Sequence, residues 1–169
     1  MRLYAYLHSR VGLYLQRRSL RCALGSPVRE EQAEAMQALM NLQDIRGLRS
    51  ALSATDPWVR REAAKALSYV QGVAAARWLV RALDDEDRDV AHAAAECLGR
   101  TAEPRLLWAL RRCLGSEDWL VRYFGVMGLA RLSAPQLRPL LEELQHDEHS
   151  WVQGAARLAL RRLDLPPAC

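Results

Sequence analysis

At 169 residues the chain is long enough for one compact domain or one short repeat array, and too short for two ordinary domains. Half of it is apolar, which excludes wholesale disorder, and scarce Gly and Pro beside abundant Ala, Leu, Arg and Glu is the composition of a helical protein. The net charge of +4 rests on arginine, Lys65 being the only lysine; interspersed with acids, it reads as solvated helix faces and a coding bias, which makes nucleic acid an unlikely partner.

Residues 1–26 are predicted to form an Arg-rich N-terminal capping helix. Arg2, Arg10, Arg17, Arg18 and Arg21 alternate with Tyr4, Tyr6 and Tyr14, and no acidic residue comes before Glu30. The arginines interrupt the apolar residues and no small-residue cleavage site follows, so a signal peptide fits poorly. Leu20 and Leu24 suit packing on the element that follows, with a membrane-surface or partner-docking helix as the alternative. No apolar run approaches the roughly 18 residues of a membrane span.

Residues 27–163 repeat. Val28, Val59, Val90, Val121 and Val152 stand 31 residues apart. The same step carries Ala63, Ala94, Gly125 and Ala156, then Leu67, Leu98, Leu129 and Leu160; the first copy is looser, with Gln32 and Met36. A second apolar set recurs between them as Leu48, Leu79 and Leu110, then Leu52, Leu83 and Leu114. Each set spaces its members along one helix face, so each unit is two helices joined by polar turns. Asp56 before Pro57 fits an N-cap followed by proline at the first helical position. Small or apolar residues hold two inter-helix positions, at Ala64, Ala95 and Val126 and at Ser68, Gly99 and Ala130. The last copy has Arg157 and Arg161 there, as a solvated terminal cap requires. The tail, 164–169, cannot continue a helix through Pro166 and Pro167.

The pattern Asp-x-x-Val-Arg-x-x-Ala-Ala-x-Ala-Leu-Gly, met at Asp56, Val59, Arg60, Ala63, Ala64, Ala66 and Leu67 with Ser68 at the glycine place, resembles short HEAT-like repeats of the phycobilisome-lyase type. Asp87, Val90, Ala94, Ala95, Leu98 and Gly99 match it again with Ala91 in place of the arginine, and Asp118, Val121, Arg122 and Leu129 match more loosely. The resemblance implies an all-α, right-handed solenoid of about five two-helix units, with the second helix of each lining the concave face. Such arrays occur in bilin lyases, in deoxyhypusine hydroxylase and in plain scaffolds.

On that second helix the residues opposite the core form an outer stripe. It runs from acidic (Glu30, Glu31, Glu34) through mixed (Trp58, Arg61, Glu62, Lys65, Tyr69; Asp89, His92, Ala93, Glu96, Arg100) to apolar and aromatic. The last stretch holds Leu120, Tyr123, Phe124, Met127 and Arg131, then Trp151, Gly154, Ala155, Leu158 and Arg162. Aromatics and methionine on such a face suit a partner surface, with partial burial by curvature as the alternative.

Catalytic signals are sparse. His92 and Glu96 lie one helical turn apart and could form an acid–base pair, or merely a surface contact. His146, Asp147, Glu148 and His149 are read as a turn with an acidic helix cap and no metal. The iron-binding His-Glu steps that the hydroxylase resemblance would imply are absent. Cys22, Cys97, Cys113 and Cys169 form no CxxC pair; Cys97 and Cys113 are expected as buried free thiols in a reducing cytoplasm. The expected function is a non-enzymatic scaffold or adaptor, without cofactor, that binds a protein or peptide on the concave face. A bilin-lyase-like, chromophore-handling role is the alternative.

Overall fold

The computed structural model describes residues 10–70, 73–101, 103–132 and 135–164, with side chains from residue 16 onward. The tyrosines at 4, 6 and 14, Arg2, and the tail with Pro166, Pro167 and Cys169 lie outside what is described. Among the described residues there are ten α-helices and no strand. They are α1 Arg10–Ala23, α2 Arg29–Asn41, α3 Ile45–Ala51, α4 Pro57–Tyr69, α5 Val73–Ala82, α6 Arg88–Arg100, α7 Leu107–Leu114, α8 Trp119–Leu132, α9 Arg138–Leu144 and α10 Ser150–Asp164. Short 3-10 turns at Pro104–Leu106 and Pro135–Leu137 lead into α7 and α9. The fold is all-α, and the chain divides into two compact units, Met1–Gln71 and Gly72–Cys169.

In the first unit α1 packs on α2 and α3, and α3 packs on α4. Leu24 is buried here, as are Val59, Ala63 and Leu67 of α4. Val28 departs from its expected core place: it is 43 % exposed and precedes α2 as its N-cap residue. Gln32, one turn on, is buried where later copies have alanine or glycine, and its amide donates to the carbonyl oxygens of Ser26 (2.7 Å) and Leu24 (3.4 Å). Gln43 turns the chain out of α2 at φ 47 and leaves the buried Asp44 facing Arg17 across 3.9 Å.

In the second unit α5, α7 and α9 pack on α6, α8 and α10, and α8 lies between α6 and α10. Val90, Ala94 and Leu98, Val121 and Leu129, and Val152 and Ala156 are almost wholly buried. Two glycines let α6 and α8 touch backbone to backbone. A Cβ on Gly99 would lie 2.4 Å from the Phe124 carbonyl oxygen, and one on Gly128 would lie 2.4 Å from Leu110 Cδ2 and 3.1 Å from Gly99 Cα. Arg131 then donates to the Gly99 carbonyl at 2.7 Å. Arg157 and Arg161 are exposed at the positions where Ala64, Ala95 and Val126, and Gly99 and Ala130, are buried.

The loops before the second helices carry a recurring bridge. Asp56 accepts from the Trp58 N–H at 2.9 Å and from Arg29 at 2.5 Å. Asp118 accepts from the Leu120 N–H at 2.8 Å and lies 2.9 Å from His92 Nε2. Asp147 accepts from the His149 N–H at 2.9 Å and from Arg122 at 2.8 and 2.9 Å. Each carboxylate thus orders a helix start while holding a basic side chain of the preceding repeat. Arg122 and Asp147 are each only 8 % exposed, and the arginine's remaining N–H groups reach Ser116 O, Glu117 O and Glu148. Arg60, in the same register, is buried and donates to the carbonyls of Ala54 and Thr55.

These contacts displace the carboxyl pKa values. Burial pushes Asp56 and Asp118 up, but the hydrogen bonds from Arg29 and His92, helped by those from the Trp58 and Leu120 N–H groups, outweigh it and hold both below the ordinary 3.8. At Asp147 the Arg122 hydrogen bond leads, burial opposes it, and the carboxyl again lies below 3.8.

Two outcomes test this architecture. Leu98→Ala should cost about 2–5 kcal/mol and Gly99→Ala about 1–3 kcal/mol, while the exposed Glu34→Ala stays within about 0.5 kcal/mol by urea denaturation. A folded pKa below the ordinary value stabilises fully above 3.8 and is lost as pH falls through the folded value. Asp147→Asn should therefore be less stable near neutrality, yet lose less stability than the parent on acidification below about pH 4, followed by circular dichroism.

Candidate partner-binding surface

The second helices, α2, α4, α6, α8 and α10, place the expected outer stripe mainly at the surface. Two members are corrections: Ala93 and Ala155 are buried, at 6 % and 7 % exposure. Neighbouring second helices pack side by side there, and alanine is small enough to be covered.

The first unit gathers the stripe into a groove of about 340 Å³. Met36 and Met40 of α2 and Trp58, Glu62, Lys65 and Tyr69 of α4 line it. Glu62 holds the charges at its side, with Lys65 Nζ at 2.9 Å and Arg61 Nε at 3.3 Å from one carboxylate oxygen. The Arg29 guanidinium lies 4.7 Å over the Trp58 ring and fixes the indole at the mouth. Tyr69, 67 % exposed, ends the groove. The methionines are the contribution that periodicity missed, since α2 keeps the repeat pattern least.

In the second unit the expected residues divide. Leu120, Tyr123, Phe124 and Met127 of α8 are half-buried, with the Tyr123 and Phe124 rings edge to face at 5.7 Å. Trp151 (64 %) and Leu158 (48 %) on α10 are the open apolar groups. Trp108 and Trp119 are exposed as well, outside the expected set.

The suggested His92–Glu96 pair is overturned. His92 faces Asp118 at 2.9 Å, while Glu96 lies 3.5 Å from Arg100. Arg131, a member of the expected stripe, donates an N–H to the Gly99 carbonyl. The "HDEH" turn is a helix-start device, as expected: Asp147 orders it, Glu148 meets Arg122, and His149 stacks on Trp119 with ring centres 3.9 Å apart. Among the described residues no three His, Cys, Asp or Glu side chains converge as a metal site would need. Cys97 and Cys113 are buried and form no disulfide among the described residues, and burial pushes Cys113 up to about 12.

Paired helices that pack on their neighbours within each unit, with bridges between the loops and helices of successive repeats, define a helical-repeat protein. The chain belongs to the HEAT-repeat family, whose pattern matches residues 19–91 and 76–161. None of the curated proteins matches it. Among solved structures it is similar to the complex of CpcE and CpcF of phycocyanin lyase from Nostoc sp. PCC7120, at 21% identity and TM-score 0.65 over 87% of this chain and 99% of that one. It is also similar to human deoxyhypusine hydroxylase in complex with glycerol, at 24% identity and TM-score 0.64 over 79% of this chain and 50% of that one. A designed armadillo repeat protein in complex with the peptide (KR)4 matches at 20% identity and TM-score 0.61, over 85% and 80% of the two chains. These likenesses establish the fold. No described helix is long and apolar enough to cross a membrane.

Because Tyr69 is mostly solvated, Tyr69→Ala should change stability by no more than about 0.5 kcal/mol in urea denaturation. A larger loss would make it part of the core and remove it from the groove's open wall.

Proposed function

We propose that the chain is a non-enzymatic protein-interaction module of the cytoplasm, which holds a protein or peptide against the exposed face of its second helices. The groove between α2 and α4 carries this reading. Methionine adapts its shape to the bound side chain, and Trp and Tyr supply large rigid contacts at low entropic cost. The apolar walls with one charged cluster at the side are what an apolar anchor flanked by polar groups requires. On the second unit the same role falls to Tyr123, Phe124, Met127, Trp151 and Leu158, whose aromatic and apolar surface suits the same kind of contact. His92, Glu96 and Arg131 contribute by ordering loops and helix ends. The burial of Cys113 as a thiol suits a reducing compartment.

The partner is to be identified by co-purification from the native source and then titrated in pure form. Tyr69→Ala and Trp151→Ala should each weaken it by 2 kcal/mol or more, roughly thirtyfold, with an unchanged helical circular-dichroism spectrum. Unaltered affinity in both variants would remove this face from binding.

A further inference from the structure

The arginine that ties a second helix to its loops is replaced twice, by Gln153, whose amide still donates to the Asp147 carbonyl at 2.7 Å, and by Ala91, which cannot reach its loop at all. Arg29, Arg60 and Arg122 share a register position with Ala91. Arg122 shows what that position can hold: its guanidinium meets Ser116 O at 3.0 Å, Glu117 O at 2.8 Å, Asp147 at 2.8 and 2.9 Å and Glu148 at 2.9 Å. One repeat earlier there is an open cavity of about 570 Å³, with Ala91, Asp85, Glu86, Glu117, Asp118 and Trp119 in its wall. His92 takes up the bond to Asp118, but its ring does not fill the space.

We propose that this cavity is a guanidinium site that receives a single arginine side chain from a partner peptide. The 31-residue step places the carbonyls of Asp85 and Glu86 where those of Ser116 and Glu117 stand for Arg122, and Glu117 where Glu148 stands, while Ser116 takes the place of Asp147, so Glu117 is the carboxylate left for the guanidinium. Trp119, 37 % exposed and in the cavity wall, has one indole face covered by His149 and leaves the other for the incoming plane, a pairing of the kind Arg29 and Trp58 make in the first unit. Carbonyls and a carboxylate arranged around a planar fork favour arginine over lysine, whose ammonium is a point charge. Arg88 also lines the cavity and opposes incoming positive charge, which the acidic side chains of Asp85, Glu86 and Glu117 in the same wall offset for one arginine and not for a basic run. The site belongs to the loop edge of the second unit. It stands or falls separately from the groove between α2 and α4.

The test is a titration of acetyl-Gly-Arg-Gly-amide into the 15N-labelled full chain, read by amide chemical shifts. Shifts should centre on Ala91, Glu117 and Trp119, and the matched lysine peptide should bind about tenfold more weakly. Glu117→Gln should weaken the arginine peptide by about tenfold, as loss of a charged acceptor does. Ala91→Arg supplies the guanidinium from the chain itself, so it should raise the melting temperature and abolish the response. The proposal is overturned by an absent or scattered response, by equal binding of the lysine peptide, or by full binding to Glu117→Gln. It is equally overturned by a destabilised Ala91→Arg chain, or by one that still responds. Free L-arginine binding more tightly than the blocked peptide would assign the cavity to a metabolite and overturn the peptide reading.

Discussion

The structure depends on a carboxylate that is used twice. An aspartate in the loop before a second helix accepts a backbone N–H at the helix start and, from the other side, a cationic group of the preceding repeat. The first contact is worth about 1 kcal/mol where it caps a helix. The second varies with burial. Between Arg29 and Asp56 both partners are substantially solvated, and exposed pairs contribute about 0–1 kcal/mol. Between Arg122 and Asp147 both are enclosed, and removing one partner leaves a buried charge at a cost of about 3–5 kcal/mol. The same device therefore makes a soft joint in the first unit and a hard one in the second.

This division of labour explains which polar residues are left for a partner. His92, Arg122, Arg131, Asp118 and Asp147 hold loops and helix ends, so their chemistry is already committed to architecture. What the exposed side of the helices presents is apolar area with a few charges beside it, at Met40, Trp58 and Tyr69 in one unit and at Trp151 and Leu158 in the other. Under the proposed reading, such a surface recognises its partner by shape and hydrophobicity.

The repeat was legible because core burial leaves a local trace. Val59, Ala63 and Leu67 are four residues apart, and that spacing means one helix face in any sequence. The Asp56-Pro57 helix start was legible for the same reason, since a cap and its helix are adjacent in sequence. The bridges were not: His92 and Asp118, or Arg122 and Asp147, are 25 or 26 residues apart, and only the stacking of repeats brings them together. Ala93 and Ala155 were misplaced because burial from the side, by a neighbouring second helix, has no counterpart in the periodicity of a single helix. Of the groove, Trp58, Lys65 and Tyr69 were readable as stripe residues. Met36 and Met40 were not, because α2 departs from the pattern its successors keep.

The three described cysteines give the molecule a clock of its own. A thiol reacts as thiolate, and Cys113, enclosed and held near 12, has almost none at neutral pH, whereas Cys22 lies in solvent. An alkylating reagent added to the native chain will mark Cys22 at once and will reach Cys113 only in those moments when the second unit breathes open. The rate of that slow labelling, divided by the rate for an unfolded thiol, is the opening equilibrium itself. A silent residue at the centre of the repeats thus records how often they come apart.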